Sequence, residues 1–335
     1  PRSATLQKIA DALNVSVREI FIDIPELKSV RFRMSKVTEQ KRKVREHEII
    51  RIAQWLENYN YLEDLLDDKL TYNLSEIKEK DPKKLAQKVR KTLKIGEQDP
   101  IDDIVDVINR AGVKLYFDEF PLDDFFGLSI GEKDGGPAIG VNTAKNISIE
   151  RQIFTAAHEM AHLLLHKESF KGELIDDDRN EEKEANIFAS YFLMPQERFK
   201  IEVEKYRDLH SVQMVLAIKR IFKVSYRTVL MRFIDEGMAD SNVYLQFALG
   251  FKRLYGGNLK GHFEPEALTS YDEYTADQEP EGPVRAEIVG SRLNGLVRKA
   301  LEKDMISLSR AAEILDKTDI EMRELAVSWK ESFWK

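Results

Sequence analysis

Apolar positions recur at helical spacing along most of the chain. In TLQKIADALNVSVREIFID (4–22), Leu6, Ile9, Ala10, Leu13 and Val15 keep that spacing until the Asn-Val-Ser break, which predicts two short helices. Residues 26–48 are polar and basic and read as a linker running into a long helix, KRKVREHEIIRIAQWLENYNYLEDLL, whose charges form a solvated face. From residue 82 to 142 the period changes. PKKLAQKVRKTLKIG and DPIDDIVDVINRAG are amphipathic helices stopped by Gly, whereas VKLYFDEF, FFGLSIG and PAIGVNT alternate as short strands separated by turn residues. ISIERQIFTAAHEMAHLLLHKE returns to helix, with Ser148 as the predicted cap. Helices dominate from 180 to 238, the acidic DEYTADQEPEGP reads as a linker, and the last 50 residues read as three or four helices, among them SRLNGLVRKALEKD. No internal repeat is present. The expected class is α+β and mostly helical, with a small antiparallel or mixed sheet flanked by helical segments. The expected units are 1–25, a linker and helix at 26–48, a central domain at 49–245, a linker at 246–285 and a small helical domain at 286–335.

Composition narrows this picture. At 335 residues the chain exceeds what one core usually serves. With 52 Lys+Arg against 59 Asp+Glu the net charge is −7, which argues against a protein that works by coating nucleic acid with positive charge. There is no cysteine, so disulfide scaffolds and Cys-ligated metals are excluded, and any transition metal must be held by His, Asp or Glu. Neither a run of membrane-spanning length nor a signal peptide is evident, and the expected compartment is the cytoplasm. The chain opens on Pro1, so a start further upstream is expected.

The chemistry concentrates in His158-Glu159-Met160-Ala161-His162. Residues four apart share one helix face, so both imidazoles can reach one zinc ion, and Glu159 stands beside the metal as general base without ligating it. A chance match or a satisfied core His pair is the ordinary alternative. A catalytic zinc usually takes three protein ligands and leaves one position open. His166 lies eight residues from His158, roughly 12 Å along the axis, and is set aside. Glu184 is the expected third ligand: Ile187, Phe188 and Tyr191 share its face, and a carboxylate on an apolar stripe needs a cation. A buried ion pair with an Arg is the other reading of that residue. Glu181, Glu182 and Asp176–Asp178 read as charges favoured at a helix start. Tyr191, His210 and Tyr226 are the candidate donors to a developing oxyanion.

ERQIFTAAHEMAHLLLH (150–166) followed by EANIFASYFLMP (184–195) resembles the ImmA/IrrE metallopeptidases, in which an FTxAHExxH helix pairs with a helix carrying EAN and ending in LMP. The resemblance extends more loosely over about 82–240, including the strand ending at Asn142 and VLAIKRIFKVSYRTVLMRF (215–233). It implies a zincin-like fold related to a minimal thermolysin, a Zn2+ cofactor, His158, His162 and Glu184 as ligands, and Glu159 as catalytic base. The more distant thermolysin pattern has Asp four residues after the ligand Glu, and counted from Glu184 that position is Phe188. In zincins a strand near the active helix binds substrate, which would give PAIGVNT an edge that takes an extended peptide.

The family cleaves helix-turn-helix repressors in stress and mobile-element responses, so the implied partner is a repressor-like protein substrate. Residues 4–22 resemble the tail of an XRE-type helix-turn-helix domain, whose base-reading helix would precede Pro1 and contact operator DNA in the parent protein. ISLSRAAEILDKTDIEMREL (306–325) looks like the small helix-turn-helix that ends similar fusions; its near-balanced charge points first to packing or self-association, which keeps a homodimer open. The leading reading is a zinc endopeptidase. Two others stand against it: a DNA-binding regulator whose zincin-like domain senses or dimerises without proteolysis, and an antitoxin-type module with a structural metal.

Overall fold

The computed structural model describes residues 3–13, 27, 30–32, 39–122, 125–167, 170, 179–257, 259, 263–268 and 291–331. The second short helix expected near 16–22, Asp176–Asp178 and the acidic linker lie outside them. Helix α1 (Ser3–Leu13) leads to strand β1 (Val30–Phe32) and the long helix α2 (Glu39–Leu66). Helices α3 (Pro82–Thr92) and α4 (Ile104–Arg110) precede β2 (Lys114–Asp118), β3 (Gly127–Ile130) and β4 (Ala138–Asn142). Then come α5 (Ile149–Leu165), α6 (Arg179–Leu193), α7 (Gln196–Lys205), α8 (Ser211–Phe222), α9 (Tyr226–Asp235) and α10 (Val243–Tyr255). Three more helices close the described chain: α11 (Ser291–Glu302), α12 (Leu308–Ile314) and α13 (Asp319–Glu331).

The expected cap forms: the Ser148 hydroxyl accepts from Arg151 N–H at the start of α5. At the start of α3, Asp81 accepts from Lys83 and Lys84 N–H in the same way. The three expected strands form as well, but the sheet has a fourth member, β1, inside the stretch expected as linker. Its order is β1-β3-β4-β2, with β1/β3 and β3/β4 antiparallel and β4/β2 parallel. The PAIGVNT strand is therefore an inner strand paired on both sides, and the expectation that it offers an open edge is corrected. Residues 246–255, expected in a linker, are helix: Phe247 and Phe251 are buried in the main core, which ties α10 to α8 and α9.

The sheet is covered on both faces. Helix α5 packs on β3 and β4, and α6 runs along α5. On the other face Ile52 and Leu56 of α2 meet Phe125, Leu128 and Ile130. Further along α2, Tyr59 and Leu62 bury themselves with Leu296, Val297 and Ala300 of α11. The helix thus carries two apolar stretches, one for the sheet and one for the C-terminal helices. Among the described residues no helix is long and apolar enough to cross a membrane.

Candidate metal centre

Helix α5 is buried nearly all round because it is enclosed by the sheet, α4 and α6. His158, Glu159 and His162 are all buried within it. Their one-turn spacing brings His158 Nε2 and His162 Nε2 to 3.0 Å. Glu182, in the first turn of α6, completes the group: Oε2 lies 3.3 Å from His158 Nε2 and Oε1 lies 3.1 Å from His162 Nε2. Among the described residues this is the His/Asp/Glu group able to hold a metal, with all ligand atoms within 4.8 Å of one another. Neighbouring ligands around a tetrahedral zinc with bonds of 2.0–2.1 Å stand about 3.3 Å apart, so the spacing fits.

The outer hydrogen bonds decide which way the imidazoles point their lone pairs. His158 Nδ1 donates to Asn186 Oδ1 at 3.0 Å. His166 Nε2 donates to the Glu184 carboxylate at 3.0 Å, which leaves His166 Nδ1 as the acceptor for His162 Nδ1–H at 2.8 Å. These bonds orient both rings with Nε2 toward Glu182. Burial, ahead of the Glu182 hydrogen bond that opposes it, pushes His162 down to about 3, so its ring stays neutral. Two imidazole Nε2 atoms and a carboxylate then converge on one point. Such an arrangement calls for a cation, and its N/N/O donor set suits a zinc-type ion with a position left for water.

Glu184, expected as the third ligand, is not at this point; the carboxylate that faces the two imidazoles is Glu182. One helical residue turns about 100°, so Glu184 lies about 200° round α6 from Glu182. Its side chain is 47% exposed, against 12% for Glu182. The face that meets α5 carries Glu182, Ala185, Asn186 and Ala189, whose two alanines are fully buried where the helices approach. Phe188 and Tyr191 are buried in the main core as well. Counted from Glu182, the position four residues on is Asn186, the group that accepts from His158. Asn186 thus gives His158 the support that an Asp at this spacing gives in the thermolysin pattern. Small residues at i+3 and i+7 and an amide at i+4 were the signal in the sequence that marked Glu182.

The three oxyanion candidates are committed elsewhere. Tyr191 donates to Glu236 Oε1 at 2.7 Å beneath the Arg232 guanidinium. His210 accepts from Val212 N–H as the cap of α8. Tyr226 stacks on Phe247 at 5.0 Å. None of them belongs to the group around the imidazoles.

Several residues position the centre. Arg90 donates to Phe192 O at 2.7 Å and Arg232 donates to Met194 O at 2.9 Å, so two buried guanidiniums satisfy carbonyls where α6 ends. Asn142 accepts from Phe120 and Ala144 N–H and donates to Phe125 O, which fixes the approach to β3. At Gly127 the backbone of β3 comes so close to α5 that a Cβ would lie 3.1 Å from Glu159 Cγ. Beside it Phe120, Leu122, Phe125, Phe126 and Ile147 line a recess of about 450 Å³.

A helical His pair with an adjacent buried carboxylate, completed from the next helix and set against a small mixed sheet, is the arrangement of a zincin-like domain. Residues 109–233 match the model of peptidase family M78, the IrrE N-terminal-like domain. The match takes in β2–β4 and α5–α8 and ends within α9, and it leaves α1–α3 and α10–α13 outside. No curated protein matches the chain.

Proposed function

We propose that the chain is a metal-dependent endopeptidase, with zinc as the metal and a helix-turn-helix repressor as the class of substrate. The observation that carries this is the convergence of His158 Nε2, His162 Nε2 and the Glu182 carboxylate beside buried Glu159. His158, His162 and Glu182 would hold the ion. When bound it would supply a Lewis acid for the scissile carbonyl and a water of lowered pKa. Glu159 accepts the proton of the attacking water and returns it to the departing amine nitrogen. Enclosure of Glu159 between α5 and β3 keeps that transfer away from bulk solvent.

The repressor substrate and a cytoplasmic site of action rest on the motif resemblance. Contact with operator DNA, through a domain preceding Pro1, rests on the helix-turn-helix likeness of residues 4–22, of which α1 is the described part. The regulator without proteolysis stays the competing reading. The test is the metal-loaded chain incubated with repressors from its own genome, alongside Glu159→Gln. Cleavage by the parent chain, a loss of about 10³-fold or more in the variant, and unchanged metal content are expected. Equal cleavage by the variant would sink the mechanism, and no cleavage by either would favour the regulator.

A further inference from the structure

Strand β1 is three residues long, and among the described residues it forms the outer edge of the sheet next to β3. β3 is the strand against which Glu159 packs. The register sets Arg31 opposite Ser129. Ser129 and Gly127 point to one face because side chains two apart in a strand do, and Gly127 faces Thr155 and Glu159. Arg31 therefore projects toward the metal centre. There its guanidinium is buried, bonds to Glu181, and comes within 3.5 Å of Glu182 Oε1, a ligand oxygen.

We propose that Val30–Phe32 sits where an extended substrate is laid, so that the chain covers its own cleft and a polypeptide binds by displacing β1. This rests on the peptidase reading and deepens it. The chemistry of strand addition supports the assignment: an antiparallel edge beside a reactive centre takes any extended main chain, and pockets next to it choose the side chains. The pocket here is the Glu181–Glu182 carboxylate pair, which takes a cationic side chain from the covering strand. A three-residue strand held by main-chain pairing and one ion-paired side chain is also short enough to leave. Covering lowers the apparent affinity for any peptide by the fraction of time the edge is open.

The test uses the full chain carrying Glu159→Gln, so that nothing is cut, and a fluorescent peptide of residues 27–34, LKSVRFRM, read by anisotropy. Arg31→Glu sets a carboxylate against Glu181 and Glu182 and releases the strand, and it is expected to tighten probe binding by about tenfold or more. Val30→Cys with Ile130→Cys places two thiols opposite each other in a chain with no other cysteine. Oxidation of that pair is expected to abolish probe binding and reduction to restore it. Probe binding that is the same in the parent, released and tethered chains would overturn the proposal and make β1 a fixed member of the sheet. The readout is binding, so it separates the two claims: the expected pattern, beside no cleavage by the metal-loaded chain that keeps Glu159, removes the peptidase reading and leaves the peptide edge standing.

Discussion

A methyl group at position 127 would lie 2.5 Å from Thr155 Cγ2 and 3.1 Å from Glu159 Cγ, and neither atom can retreat far within a packed helix. Gly127→Ala is expected to cost about 1–3 kcal/mol of stability by denaturant unfolding, the usual range for overpacking. It should also lower kcat more than it raises KM, because the group it moves is the proposed base. His158, Glu159 and His162 were readable in the sequence because one local spacing specifies them. Glu182 was not. Its role depends on which side of α6 meets α5, and the sequence offers two credible sides: an apolar stripe through Phe188 and Tyr191, and a small-residue stripe through Ala185 and Ala189. Close approach of two helices selects the second, since alanines admit a neighbour that phenylalanine would hold off. Tyr191, His210 and Tyr226 carried suitable chemistry, but residue type alone did not reveal their existing partners.

At the scale of elements, strands β2, β3 and β4 and the cap of α5 followed from alternation and from Ser148 before a helical run. Strand β1 escaped notice because three residues in a basic stretch show no period, and its partner is β3, almost a hundred residues away. Residues 246–255 read as linker because the burial of Phe247 and Phe251 depends on α8 and α9 being in place. The segment 263–268 is tied down by charge. Lys219 Nζ bridges Glu150 and Glu264, Glu264 Oε1 accepts from Tyr226 N–H at 2.9 Å, and Glu150 Oε1 accepts from Leu268 N–H at 3.1 Å. Burial, outweighing the pull of Lys219, raises the Glu264 carboxyl from 4.5 to about 7. A carboxyl raised on folding binds its proton more tightly in the folded state. Its contribution is therefore complete below the unfolded value of 4.5 and is lost as pH climbs toward 7. We expect this term to fall by about 2–3 kcal/mol over that window and Glu264→Gln to flatten the fall. Thermal unfolding of both chains from pH 4.5 to 7.5 measures it, and parallel profiles would contradict it.

Across the whole molecule, α2 joins the parts. Its Ile52 and Leu56 close the sheet, while Tyr59 and Leu62 hold α11. Glu63 is paired with Lys114 of β2 at 3.3 Å and Arg292 of α11 at 2.9 Å, so one buried carboxylate spans all three elements. The expected boundary at residue 49 falls inside this helix, which begins at Glu39. Leu62→Ala is expected to cost about 2–5 kcal/mol in the C-terminal cluster. Metal content should be unchanged in that variant, because no residue of the metal centre belongs to that cluster; proteolysis of α11–α13 with parallel metal analysis checks both. The ligand set is tested by metal per chain, measured by mass spectrometry for the parent, Glu182→Ala and Glu184→Ala after loading with zinc. About one zinc is expected in the parent and in Glu184→Ala and almost none in Glu182→Ala, as three ligands reduced to two no longer hold the ion. A full Glu182→Ala beside an empty Glu184→Ala would contradict that ligand set.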